Sequence, residues 1–116
     1  MVWAMTGSRS CIPYLQLLVL ALLEKRGPLC GYRIFQVLSK YGVVSQPAAV
    51  YNALQKLQGR GCVRLVEAKT SRGRAQRYSL TPEGRRYLRE LMEEFKLVQR
   101  AMEEVVSGHA MNATPL

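Results

Sequence analysis

The sequence predicts a mainly α-helical fold that carries one small β-hairpin and ends in a long helix. Apolar residues recur at spacings of three and four along most of the 116 residues, the period of helices with one buried face. That period breaks once, between Cys62 and Leu80, where a run with β-branched residues, a polar glycine-containing turn and a second short run follow one another. Beyond the break one apolar stripe, Leu88, Leu91, Phe95, Val98, Met102 and Val105, continues at spacings of three, four, three, four and three. A hydrophobic content of 48% is enough for one modest core, and the chain shows no internal repeat.

Taken in order, residues 1–10 read as a loose leader holding Trp3, Gly7 and Arg9. The first helix is expected from about Pro13 to Arg26, with proline in the first turn and Gly27-Pro28 as the stop. Its run Tyr14–Leu23 is apolar except for Gln16, too short to span a bilayer, and closed by Glu24-Lys25-Arg26. A signal peptide would place its charges before such a run, so a buried, central helix is the reading. Leu29 and Cys30 lead into a second helix, about Gly31 to Lys40, whose buried face is Ile34, Phe35, Val37 and Leu38. Tyr41-Gly42-Val43-Val44 is a short turn into the next helix.

That helix lies within Ser45–Gly61, with Ser45 expected as N-cap, Pro47 in the first turn, and Gly59 and Gly61 as the stop. Val50, Ala53, Leu54 and Leu57 form its apolar stripe. The opposite face carries Gln46, Ala49, Asn52, Gln55, Lys56 and Arg60, and no carboxylate stands between Ser45 and Val66. By itself this is also the pattern of an ordinary amphipathic helix. Its neighbours decide. Cys62–Val66 and Gln76–Leu80 are expected as two strands joined by the basic turn Lys69–Arg74. Three helices followed by a basic hairpin is the winged helix-turn-helix order, in which one helix braces on DNA and the next enters the major groove.

Charge agrees with this order. Residues 56–89 hold ten basic side chains against Glu67 and Glu83, a balance of +8 within a net charge of +9. A localised basic patch of this kind predicts a polyanionic partner, DNA. Thr81-Pro82-Glu83 then opens the last helix with a capping hydroxyl, a first-turn proline and an acid. It is expected to run to Ser107, roughly 39 Å at 1.5 Å per residue. The seam Leu88, Leu91, Phe95, Val98, Met102 and Val105 on so long a helix is best covered by a second copy. The expected organisation is therefore a reading domain over residues 1–80, a dimerisation helix over 81–107 and a disordered tail over 108–116.

The chain resembles the PadR family of bacterial and archaeal transcription regulators. The resemblance rests on Gly27-Pro28, Gly31-Tyr32, Pro47 with Val50-Tyr51, Leu54, Leu57 and Gly61, then Gly73-Arg74, Arg77-Tyr78-Ser79-Leu80-Thr81 and Gly84-Arg85. It implies a winged-helix homodimer joined through C-terminal helices, usually a repressor released by a small-molecule effector, and the single terminal helix resembles the compact branch. Ala48-Ala49-Val50-Tyr51 stands where the family commonly has Gly-Thr-Leu-Tyr, and Asn52 where a proline often sits. Members with a flat aromatic drug site carry a tryptophan on the last helix. Here that helix has Phe95 and the one tryptophan is Trp3, so the sequence assigns neither to a ligand site.

The expected site follows. Gln46, Asn52 and Gln55 are candidates for base edges, because amides pair bidentately with adenine. Ser45, Tyr51, Lys56 and Arg60 are candidates for phosphates, with Ala49 on the same face. Lys69, Arg72, Arg74 and Arg77 place the wing on the backbone or in the minor groove, and Tyr32 and Arg33 face flanking phosphates. A protein-interaction module without sequence-specific DNA binding is the rival, which leaves the wing's charge without a partner. No cofactor, metal or catalysis is expected: the sequence has no aspartate, one histidine (His109) and three scattered cysteines, Cys11, Cys30 and Cys62. The cysteines read as small apolar residues of a reducing prokaryotic cytoplasm.

Overall fold

The computed structural model describes residues 13–108; the expected leader, with Trp3, and the tail beyond Gly108 lie outside them. Helix α1 (Pro13–Arg26) is followed by α2 (Gly31–Ser39), α3 (Pro47–Gly59), strands β1 (Val63–Thr70) and β2 (Gly73–Leu80), and α4 (Pro82–Ser107). Apolar nearly all round, α1 is the centre of the core. Its Leu15, Val19, Leu20 and Leu23 pack with Ile34 and Leu38 of α2, Val50, Leu54 and Leu57 of α3, and Val63 of β1. Each such side chain, taken fully out of water, contributes about 1.5–3 kcal/mol.

The hairpin is longer than the sequence suggests. The two strands pair antiparallel from Val63 opposite Leu80 to Thr70 opposite Gly73, leaving only Ser71 and Arg72 as the loop. Glu67, Lys69 and Arg74 hide this in the sequence, because polar residues read as turn when both faces of a strand end are solvated. Thr70 closes the loop: its Oγ1 donates to the Gly73 carbonyl (2.9 Å) and accepts from the Arg72 N–H (3.2 Å). Leu29 adds a third, one-residue strand. Its N–H donates to Tyr78 O (3.2 Å) and Tyr78 N–H donates to Leu29 O (2.8 Å), which ties the α1–α2 connection to β2.

Two helix ends differ from expectation. The N-cap of α3 is Gln46 rather than Ser45, and it makes no side-chain cap bond. Pro47, fixed in φ and lacking an N–H, takes the first helical position and sets the start one residue later. At the other end Gly59 is still helical, Arg60 is the C-cap, and Gly61 alone turns left-handed at φ +79°. By contrast Thr81 caps α4 as expected, its Oγ1 accepting from the Gly84 N–H at 3.0 Å.

Close approach explains two further glycines. A Cβ on Gly84 would collide with the Cys62 carbonyl, so α4 lies directly on the turn that leaves α3. A Cβ on Gly31 would collide with the Tyr51 ring, so the tyrosine of α3 lies in a notch at the start of α2. Leu88 needs correction as a dimer residue: at 2% exposure it belongs to the protomer's own core, because the first two turns of α4 pack on α1 and the hairpin base.

Gly84→Ala is expected to destabilise the fold by about 1–3 kcal/mol, because a backbone carbonyl cannot move aside as a side chain does. Gly59→Ala, with open space at its Cβ, is expected to stabilise by about 0.5 kcal/mol. Chemical denaturation of both variants checks the pair, and equal shifts would contradict the close approach. Gly31→Ala should cost a similar 1–3 kcal/mol in the presence of Tyr51 and much less in a Tyr51→Ala background. A double-mutant cycle that is purely additive would show that the ring does not occupy the notch.

Candidate nucleic-acid interface

The exposed face of α3 is set by its buried one. With Val50, Ala53, Leu54 and Leu57 turned inward, the positions left in solvent are Ala48, Tyr51, Asn52, Gln55, Lys56, Gln58 and Gly59. Ala48, Asn52, Gln55 and Gly59 recur at four, three and four, along the middle of this face. Ala49 is instead half-buried against the core, and Ala48 takes the place the sequence reading gave it. The signal was available: counting from the inward stripe puts position 48, and not 49, opposite Leu57. Ser45 and Gln46 are exposed just before the helix. An alanine and a glycine in the middle of the face let another backbone or a base edge come close, while the amides of Asn52 and Gln55 offer paired donors and acceptors.

Tyr51 is 43% exposed, with its ring against Gly31 at the start of α2. Its neighbours on α2 are exposed as well. Tyr32 lies 5.7 Å from Phe35, ring to ring, and the Arg33 guanidinium donates to Gln36 Oε1 at 3.4 Å. Both contacts are made within α2, to the half-buried Phe35 and Gln36, and they leave Tyr32 and Arg33 themselves exposed.

The wing residues do not share one face. Directly opposed residues of an antiparallel pair lie on the same side, so Lys69 and Arg74 stand together, with Glu67 and Gln76 next along that side. Glu67 reaches Arg74 at 3.6 Å in a solvent-exposed ion pair of little strength. Arg77, opposite Val66, lies on the other side together with Arg64, opposite Ser79. Arg72 occupies the tip. Arg64 was missing from the sequence-based set, because its face depends on a strand register that the sequence does not display.

Arg60 departs most from expectation. Its guanidinium lies 4.0 Å from the centre of the Tyr87 ring on α4, turned back onto the fold. It borders a cavity of about 100 Å³ with Cys62, Glu83, Arg86, Tyr87 and Glu90. Burial pushes the Cys62 thiol above its ordinary value, and Arg60, by charge and hydrogen bond, partly offsets that rise.

The seam of α4 changes character along its length. Leu88 is in the core, Leu91 is half-buried against it, and Phe95 meets Tyr14 of α1 edge to face at 5.0 Å. From there Val98, Met102 and Val105 are exposed, as are Leu97 and Val106 beside them. A separate apolar groove of about 440 Å³ lies between α1 and α2, lined by Leu18, Leu22, Lys25, Val37, Tyr41 and Val43 among others. Among the described residues no group of three metal-ligating side chains occurs, and no helix is long and apolar enough to cross a membrane.

Comparison with known proteins agrees with this architecture. The sequence pattern of the transcriptional regulator PadR-like family matches residues 19–90, from α1 to the third turn of α4. No curated protein matches the chain. The fold is similar to that of smu.1704 from Streptococcus mutans UA159, with a TM-score of 0.75 and 25% identity over 83% of this chain and 89% of that one. It is also similar to a PadR family transcription regulator from Clostridium difficile R20291, with a TM-score of 0.72 and 23% identity over 80% of this chain and 98% of that one. A transcriptional regulator from Clostridium thermocellum gives a TM-score of 0.67 at 25% identity over 79% and 92%. With the winged helix-turn-helix in place and its family pattern spanning more than half of the sequence, this chain belongs to the PadR-like family of transcriptional regulators.

Proposed function

We propose that the protein acts as a homodimeric repressor on an inverted-repeat operator, with α3 in the major groove and the hairpin on the flanking backbone. The observation that carries the dimer is the run from Phe95 to Val106, where five large apolar side chains besides Phe95 are exposed on a helix that has left its own core. A second copy of the same helix offers the matching seam. Residues 81–107 thus serve two parts at once: Leu88 completes the reading domain, and the turns from Phe95 onward pair.

Within that reading Asn52 and Gln55, with Gln46 at the helix entry, meet base edges, and Ala48 gives the close approach. Ser45, Tyr51, Lys56, Tyr32 and Arg33 hold phosphates, as do Lys69, Arg72, Arg74 and Arg77 of the wing. A dimer seated on its operator excludes other proteins from that stretch of DNA, which makes repression its direct consequence. The exposed amide-rich face beside a basic hairpin favours this over a protein-interaction module, whose partner would need a matching acidic surface.

Sedimentation should show a dimer at tens of micromolar, and Val98→Glu with Met102→Glu should give a folded monomer, because unpaired carboxylates do not enter an apolar seam. A wild-type monomer at that concentration would rule out the dimer.

Binding to duplexes upstream of the chain's own gene, followed across a salt series, tests the interface. Lys56→Ala and Arg74→Ala should each weaken all duplexes alike and flatten the salt slope by about one unit. Asn52→Ala should keep the slope and relax preference at one base pair, worth about 1–3 kcal/mol. Equal loss on specific and random DNA would remove Asn52 from base reading.

A further inference from the structure

Three consecutive residues at the end of α3 are each held by the start of α4. The Arg60 guanidinium rests on Tyr87 at 4.0 Å. The Gly61 carbonyl accepts from Thr81 Oγ1 at 2.6 Å. The Cys62 carbonyl accepts from the Thr81 N–H at 3.1 Å and passes against Gly84. Arg60 is the outermost of these attachments and the one furthest along α4. Glu83, which borders the same cavity, is engaged by Arg86 at 3.1 Å, while Arg60 lies against the Tyr87 ring and also hydrogen-bonds the Cys62 thiol within its own segment, so Tyr87 is its contact on α4.

A phosphate-holding arginine extends from the recognition face; this one is folded back onto the helix that carries the seam. We propose that Arg60 and Tyr87 are positioning residues that fix the angle between α3 and α4 and thereby select the spacing between half-sites, Arg60 making no phosphate contact. The inference rests on the DNA-binding reading above and adds to it which residues set the operator's geometry. The lever is short and stiff. Helix α3, with 13 residues, is about 20 Å long. A rotation of about ten degrees at its anchored end moves the other end by roughly 3.4 Å, one base-pair step. A weak contact at the hinge can therefore discriminate between spacings that differ by one base pair.

The test uses the full-length chain and an inverted repeat selected from random duplexes, prepared at its selected spacing and with one base pair added or removed. Wild type should prefer the selected spacing. Arg60→Ala and Tyr87→Leu should each reduce that preference by about two- to fivefold, the equivalent of one partly exposed cation–π contact. The double variant should lose no more than either single one, and Tyr87→Phe, which keeps the ring face, should behave as wild type. Arg60→Ala should leave the salt slope unchanged, whereas Lys56→Ala lowers it by about one unit. A slope lowered by about one in Arg60→Ala would make Arg60 a phosphate holder and overturn the proposal. So would a wild-type spacing preference in Arg60→Ala, which sits at an exposed helix end and tests the idea even if Tyr87→Leu folds poorly. A wild-type chain that binds no inverted repeat would instead sink the DNA reading itself, and this inference with it.

Discussion

Where the chain leaves α3, the carbonyl of Cys62 accepts the Thr81 N–H and lies against Gly84, and this one backbone group joins three parts of the fold. The left-handed turn at Gly61 reverses the chain, and the Cys62 N–H returns to Leu57 O at 2.8 Å, so the last turn of α3 is hydrogen-bonded to the residue just before β1. On the other side Thr81 ends β2 and caps α4 with the same hydroxyl that donates to Gly61. The ends of α3, the hairpin and α4 are therefore joined at one point, and only the angle about that point is left for side chains to set. Small residues make this possible: two glycines, a threonine and a buried cysteine leave room for backbone to meet backbone, where hydrogen bonds fix distance and direction together.

Charge is sorted along the same path. The positive excess gathers in residues 56–89, and the carboxylates gather on α4 from Glu90 onward, as Glu90, Glu93, Glu94, Glu103 and Glu104. Facing Lys69 and Arg74 across the hairpin places like charges side by side, a cost that the exposed Glu67 relieves only slightly. Folding alone gives no reason to keep that arrangement. A polyanion does, since each phosphate neutralised removes part of the repulsion and releases counterions.

Much of this was legible in the sequence. The spans of α2, α3 and α4 followed from the three-four period, that of α1 from its unbroken apolar run, and the ends of α1 and α4 from Pro13, Gly27, Thr81 and Pro82, because caps act within a few residues. Most of what failed needed three dimensions. The hairpin's polar outer half has no apolar alternation to mark it as strand, and Leu29 joins the sheet through a single residue. Ser45 is a better capping type than Gln46, yet Pro47 sets where the helix begins. Arg60 looked like one more cation on a basic face; that Tyr87 lies beneath it depends on how α4 crosses the end of α3.

The stripe on α4 shows why sequence pattern alone misassigned Leu88. All six positions repeat on one side of one helix, but their surroundings grade from 2% exposure at Leu88, through 37% at Phe95, to 66% at Val105. A heptad pattern records that a residue is to be buried and is silent about the chain that buries it. Here the change of partner falls at Phe95, where Tyr14 of α1 supplies the last aromatic contact from within the protomer. Seams split in this way link folding to association. The proximal half stabilises the monomeric winged helix regardless of concentration, and the distal half contributes only when a second copy is present, so the stability of the proposed dimer rises with protein concentration by mass action.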